Sequence, residues 1–267
     1  MGRARGALIA AVAALALPAS AAADITGTPA VRGVFTLERN GVLGVLERLN
    51  VEGDAPTPAT WQITMQRGEL FAQPSLYVDG RRYRPGDPKR PGTFKISRGS
   101  RGVRFDWLQP RGAHTVRLAY RLALFGTAYT DVVDLHVPLW ESGWPVAVGA
   151  LSAALALPRV PRSHAIVWLE PRRTDTHVST SGRAIRVQTR DIGAGDSLTL
   201  RAVLPRSVLS AADGLNVDRK PGLAKVLADR RSNGRMWWPW ILGAAALLVV
   251  SAAVVLRTAR SRPPLPR

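Results

Sequence analysis

Apolar and polar residues alternate with a period of two through most of the chain between residues 24 and 207, and this constrains the fold more than any other feature. Successive side chains of a β-strand point to opposite faces, so the alternation reads as strands with one face buried. In Thr115 to Phe125, Val116, Leu118, Tyr120, Leu122 and Leu124 share one face, while Thr115, Arg117, Ala119, Arg121 and Ala123 share the other. Val103-Phe105-Trp107, Ile185-Val187-Thr189 and Leu198-Leu200-Ala202 repeat the pattern. Turn signals separate these runs at Asn40-Gly41, Asp79-Gly80, Pro85-Gly86, Pro91-Gly92, Ser181-Gly182 and Gly193-Ala194-Gly195-Asp196. The spacing predicts an all-β fold, an antiparallel β-sandwich over residues 24–207. Val146 to Leu157 carries no charge and is bracketed by prolines; it reads as a long interior strand in preference to a buried helix. Pro158-Arg159-Val160-Pro161-Arg162 then offers a break between two β-subdomains. In residues 208–235 only Pro221 to Arg231 reads as helical, with Pro221 at its start and Leu223, Val226 and Leu227 on one side.

The two ends predict export and membrane anchoring. Arg3 and Arg5 precede the apolar run Ala7 to Leu17, and small residues follow, which is the layout of a signal peptide over 1–23 cleaved after Ala21 or Ala23. Met236 to Leu256 is 21 residues without a charge, and as a helix it spans roughly 31 Å, the thickness of one bilayer core. Trp237, Trp238 and Trp240 open this stretch and Arg257 follows it, as expected at a membrane interface. Together these features predict a single-pass protein of the cell membrane. Its N-terminal domain is extracytoplasmic, one helix contacts the lipid bilayer, and residues 257–267 form a basic cytoplasmic tail.

Cysteine is absent, which excludes disulfides, thiolate metal sites and a thiol nucleophile. The histidines His114, His136, His164 and His177 show no ligand spacing, so no metal is expected. No Gly-x-Ser-x-Gly elbow is present. Ser163 and His164 are adjacent, and adjacent strand residues face opposite ways. Gly193-Ala194-Gly195 lacks a following helix that could receive a phosphate. No catalytic residue and no cofactor are therefore assigned. Glu47 stands apart because it shares parity with Leu43, Val45, Leu49 and Val51. A carboxylate on a buried face must pair or become protonated. An ion pair with an arginine of a neighbouring strand is the favoured reading, and a binding or catalytic acid is the alternative.

Charge points to the partner class. The formal charge is +18, and setting aside two leader and four tail arginines leaves +12. Arg81, Arg82, Arg84, Arg98 and Arg101 concentrate with Lys89, Arg90, Lys95 and Arg104 in a Gly- and Pro-rich stretch. Such a patch suits an anionic partner, an envelope polymer or lipid head groups; no nucleic-acid motif accompanies it.

Several segments resemble, in order, the N-terminal exported domain of the domain of unknown function 2207 family of predicted membrane proteins. Val34-Phe35-Thr36-Leu37 with Asn40-Gly41-Val42-Leu43-Gly44-Val45-Leu46-Glu47 is similar to its opening hairpin. His114 to Arg121 resembles a central strand ending in Tyr, Trp144-Pro145-Val146 to Leu157-Pro158 a Trp strand closing in Leu-Pro, and Asp196 to Leu204-Pro205 the last strand. His136-Val137-Pro138 stands where the family tends to carry Tyr-Trp-Asn. The resemblance supports the fold and a membrane setting and implies no activity. The expected function is a non-enzymatic envelope protein whose β-domain binds an anionic envelope component or a partner membrane protein. The alternatives are an enzyme acting on envelope polymers through an acid such as Glu47, and an accessory subunit of a membrane complex.

Overall fold

The computed structural model describes residues 29–235, apart from 54, 67, 100–101, 142–146 and 162–164. The expected signal peptide, the apolar stretch 236–256 with Trp237, Trp238 and Trp240, and the tail with Arg257 lie outside the described residues, as do Arg101, Ser163 and His164. Among the described residues no helix is long and apolar enough to cross a membrane.

The chain is mostly β-sheet. It begins with β1 (Ala30–Leu37), β2 (Leu43–Gly53), β3 (Thr57–Thr64), β4 (Leu70–Val78), β5 (Arg81–Arg82) and β6 (Arg84–Pro85). There follow β7 (Thr93–Gly99), β8 (Gly102–Gln109), β9 (Gly112–Ala123), β10 (Gly126–Ala128), β11 (Val132–Trp140) and β12 (Val148–Ala156). The remainder is β13 (Ile166–Glu170), β14 (His177–Ser181), β15 (Ala184–Ile192), β16 (Leu198–Pro205), β17 (Asn216–Val217) and the helix α1 (Leu223–Arg235). Three sheets result. The largest has eight strands in the order β14-β15-β12-β1-β2-β9-β4-β5; a second runs β13-β16-β11-β10-β17, and a third β3-β8-β7-β6.

Period-two burial follows from the sequence along β2 and β9. Leu43, Val45, Glu47, Leu49 and Val51 face inward on β2, while Val116, Leu118, Tyr120 and Leu122 face inward on β9. The two strands pair antiparallel over their whole length, from Leu43 opposite Leu122 to Gly53 opposite Gly112. The alternation expected to continue to Leu124 stops at Ala123, because Leu124 adopts a left-handed backbone (φ 61°) and turns the chain toward β10. The uncharged run after residue 146 forms the interior strand β12, flanked by β1 and β15.

One expectation needs amending. The pairing is not purely antiparallel: β1 and β12 run parallel from Ala30 opposite Ala150 to Thr36 opposite Ala156, and β6–β7 and β10–β17 are also parallel. A parallel pair needs a long connection, and 110 residues of intervening chain separate β1 from β12, which period and turn signals could not reveal. The β12–β15 ladder crosses residues 158–162. One hydrophobic cluster unites Phe35, Leu118 and Phe105 from before that segment with Val187, Leu200 and Leu204 from after it.

Helix α1 lies against the second sheet. Val226 is buried with Tyr129, Val132, Trp168 and Val203, and Leu223 packs at the edge. The N-terminus is capped from a distance: the Asp131 carboxylate accepts hydrogen bonds from the Gly222 and Leu223 amides at 2.7 and 3.2 Å. These bonds hold the Asp131 carboxyl below its usual range and satisfy two of the amides that a helix start leaves unpaired. Beneath the helix, Arg201 grips Asp134 through two nitrogens at 3.1 and 2.8 Å and reaches Glu170 at 3.5 Å. The guanidiniums of Arg201 and Arg230 lie 5.2 and 5.0 Å from the Trp168 ring centre.

A side chain at Gly222 would collide with Tyr129, whose Cγ lies 2.1 Å from the position a Cβ would take. Gly222→Ala is therefore expected to cost about 2–3 kcal/mol and to loosen the seating of α1. Hydrogen exchange should show amides 223–231 losing protection while those of β2 and β9 keep theirs. Unchanged protection in the helix would contradict this seating.

Candidate functional site

The arginine-rich stretch is shaped by one tight turn. Asp79 (φ 50°) and Gly80 (φ 79°) form a two-residue connection between β4 and β5. Positive φ at both positions is the type I′ geometry that an Asp-Gly pair favours in hairpins. The turn is tied to β9: the Asp79 amide donates to the Thr115 carbonyl at 2.9 Å, and Asp79 Oδ1 accepts the Thr115 amide at 2.9 Å. Beyond the turn, Tyr83 is buried and its amide donates to the Leu76 carbonyl at 2.9 Å. With Tyr83 turned inward, Arg82 and Arg84 on either side must face out, and Arg81 joins them from the hairpin.

Arg81, Arg82 and Arg84 consequently line one cleft of about 530 Å³, together with Val78, Asp79, Pro91, Gly92, Pro110 and His114. His114 adds a cation that sequence reasoning missed. Its Nδ1 lies 2.5 Å from Asp79 Oδ2, and its Nε2 lies 2.8 Å from the Arg111 carbonyl oxygen. A carboxylate and a carbonyl can only accept, so both ring nitrogens donate, and the ring that satisfies this geometry is the imidazolium. Hydrogen bonding to Asp79 accordingly raises the His114 pKa above its ordinary 6.5, and the same bond lowers that of Asp79. The sequence offered only a spacing test for His114, which a lone histidine fails; the relevant signal was the Asp-Gly turn that brings a carboxylate to it.

Of the other residues singled out, Arg98 does not line this cleft; its Nη2 donates to the Phe71 carbonyl at 3.3 Å. His136 lies 3.3 Å from Asp134, and His177 is exposed on β14. Among the described residues no group of three potential ligands is placed to hold a metal ion.

Glu47 is buried, at 3% exposure, on the inner face of β2. Its register partners are Gly33 on β1 and Leu118 on β9, and Tyr120, diagonal to it, directs its hydroxyl to Glu47 Oε2 at 3.4 Å. No ion pair to Glu47 forms among the described residues, so the arginine partner expected from the sequence is replaced by a phenol. The inward parity that buries Glu47 turns Arg48, Arg117 and Arg121 to the other face of the same sheet. Burial pushes the Glu47 carboxyl up to about 8, with the negative charge of Glu141 adding to the effect and the Tyr120 hydroxyl opposing it. Glu141, just after β11, is itself raised to about 7 by burial, which Thr64 opposes through hydrogen bonds and Glu69 reinforces. The second carboxylate is thus Glu141, 94 residues away in sequence, which no local pattern could have joined to Glu47.

A group with a raised pKa in the folded state penalises folding between its unfolded and folded values, because the unfolded chain releases its proton first. Glu47→Gln is thus expected to match the wild type below about pH 4 and to gain on it as pH rises from 4.5 to 8. The advantage should reach about 4 kcal/mol near pH 8, read from urea unfolding at a series of pH values. A loss of stability at every pH would instead require a charged partner for Glu47.

Comparison with known proteins adds the family. No curated protein sequence matches the chain. Three solved structures are similar to it at low level. A putative nutrient binding protein from Legionella pneumophila has 10% identity and a TM-score of 0.39, over 65% of this chain and 65% of that one. A putative protease from Parabacteroides distasonis has 14% identity and a TM-score of 0.37, over 65% and 39%. An M1 zinc metallopeptidase from Deinococcus radiodurans has 10% identity and a TM-score of 0.37, over 68% and 42%. The matched region spans less than two thirds of each of these proteins, and likenesses of this size carry no argument about activity. The sequence match is of another order: residues 30–204, from β1 almost to the end of β16, match the N-terminal domain of a predicted membrane protein family. The chain belongs to the domain of unknown function 2207 family of predicted membrane proteins.

Proposed function

We propose that the β-domain is an extracytoplasmic binding module for an anionic envelope component, held at the membrane by the apolar stretch 236–256 and engaging its ligand in the cleft of Arg81, Arg82, Arg84 and His114. The observation that carries this reading is the convergence of three guanidiniums and an imidazolium on one cleft, with Asp79 as the only carboxylate in its lining. A guanidinium presents a planar fork of donors that matches phosphate and carboxylate oxygens. The Asp79 charge is already engaged by His114 and the Thr115 amide, so it orients the cleft without cancelling the arginines. Pro91, Gly92 and Pro110 give a rigid, uncharged rim, and about 530 Å³ suits a few units of a polymer better than a large folded partner. No reaction is assigned. Glu47 is not part of this lining.

The full-length protein in nonionic detergent should bind polyphosphate or poly-glutamate with an affinity that falls as salt rises. Replacing Arg81, Arg82 and Arg84 together by Gln should weaken binding about tenfold at 0.15 M salt, whereas Arg98→Gln should change it less than twofold. Equal effects of the two substitutions would indicate a diffuse basic surface.

The pH dependence has a definite sign. His114 carries its charge below its raised folded pKa and loses it as pH climbs through that value. Affinity should therefore decline across a window above pH 6.5, and His114→Gln should flatten that decline. A wild-type affinity independent of pH from 6 to 9 would place the ligand away from His114.

A further inference from the structure

A second basic hollow lies beside helix α1, whose last residue immediately precedes the apolar stretch in sequence. Arg172, Arg230 and Arg231 line a notch of about 330 Å³ with Leu227. Two separate segments build it. Arg172 comes from the loop that follows β13, and the other three residues come from α1. Arg230 is held by its cation–π contact with Trp168 at 5.0 Å, so one guanidinium is positioned before any ligand arrives. Among the described residues none of the three arginines lies within ion-pairing distance of a carboxylate, and Asp229 does not line the notch. Leu227, half-buried on the same face, supplies an apolar floor.

Position along the chain selects the ligand. Arg231 precedes the end of α1 at Arg235 by four residues, which is about 6 Å of helix axis. The uncharged stretch begins at the next residue, Met236. Where that stretch enters the hydrocarbon core, the polar layer outside it is roughly 5–8 Å deep, so a side chain one helical turn earlier falls at the level of the lipid head groups. We infer that the Arg172–Arg230–Arg231 notch is a binding site for the phosphate-bearing head group of an anionic phospholipid, seating the β-domain on the membrane surface through α1. This rests on residues 236–256 crossing the bilayer, and it is independent of the ligand taken by the Arg81 cleft.

The test uses the full-length protein in nonionic detergent, titrated with dihexanoylphosphatidylglycerol, dihexanoylphosphatidylcholine and inorganic phosphate. Phosphatidylglycerol should bind measurably more tightly than the other two. The double substitution R172Q/R231Q should weaken that binding about tenfold or more, at about one unit of charge–surface attraction per arginine removed. Both positions are exposed, so the variant should keep its melting temperature, and R81Q/R82Q should leave phosphatidylglycerol affinity within twofold of wild type. Equal binding of phosphatidylcholine, equal binding of free phosphate, or an unaffected R172Q/R231Q variant would each overturn the proposal. Flotation with pure phosphatidylcholine vesicles separates the premise from the inference. Wild type and variant should both float; if neither does, the span itself fails and the notch assignment falls with it.

Discussion

Removal of the inner face of the eight-stranded sheet from water is the constraint on which the remaining structure depends. Phe35, Leu43, Leu49, Leu76, Val116, Leu118, Val148 and Val187 come from six different strands and are all essentially unexposed. Their burial fixes the register of β1, β2, β9, β12 and β15, because a slip of one residue would turn every one of these side chains to solvent. The parallel pairing of β1 with β12 is the step that joins the two halves of the chain, placing the uncharged strand inside the sheet between β15 and β1. Glu47 is the acidic residue buried on this face. It is tolerated as a protonated acid because burial raises its pKa, an effect that the hydrogen bond from the Tyr120 hydroxyl opposes.

The outer surfaces follow from the same register. Once Val116 and Leu118 point inward, Thr115 and Arg117 point outward, and the Thr115 backbone, next to the final β4–β9 pair of Val78 and Val116, receives the Asp79 turn. That turn brings Asp79 to His114 and projects Arg81, Arg82 and Arg84 into one cleft. On the second sheet, Trp168 and Arg201 present a cation–π surface on which α1 settles, with Asp131 holding the first turn. Two cation-lined hollows thus arise by different means, one from a hairpin and one from a docked helix.

Much of this was legible in the sequence because strand periodicity is a local signal. The inward faces of β2, β8, β9 and β15 follow residue by residue from alternation, the Asp79-Gly80 turn from its dipeptide, and the helix after Pro221 from its start signal and apolar spacing; β16 departs from the half-buried pattern, because Arg201 and Val203 on its other face are buried as well. The concentration of Arg81, Arg82 and Arg84 was visible as composition. What escaped depends on tertiary proximity. The parallel β1–β12 pairing, the imidazolium of His114, and the approach of Glu141 to Glu47 each join residues tens of positions apart. Arg98 was grouped with the cleft arginines by proximity in sequence, yet its side chain reaches back to the Phe71 carbonyl. Alternation told which way Glu47 points but not what meets it, so an arginine was expected where a tyrosine stands.

The most direct measurement is ¹⁵N NMR of the His114 ring in the full-length protein in detergent micelles at pH 7, before and after addition of polyphosphate. Two protonated ring nitrogens whose resonances move as polyphosphate saturates the protein are the predicted result, since the imidazolium both closes the Asp79 turn and lines the anion cleft. A neutral ring with one unprotonated nitrogen, or a ring unmoved at saturation, would contradict the assignment of this cleft.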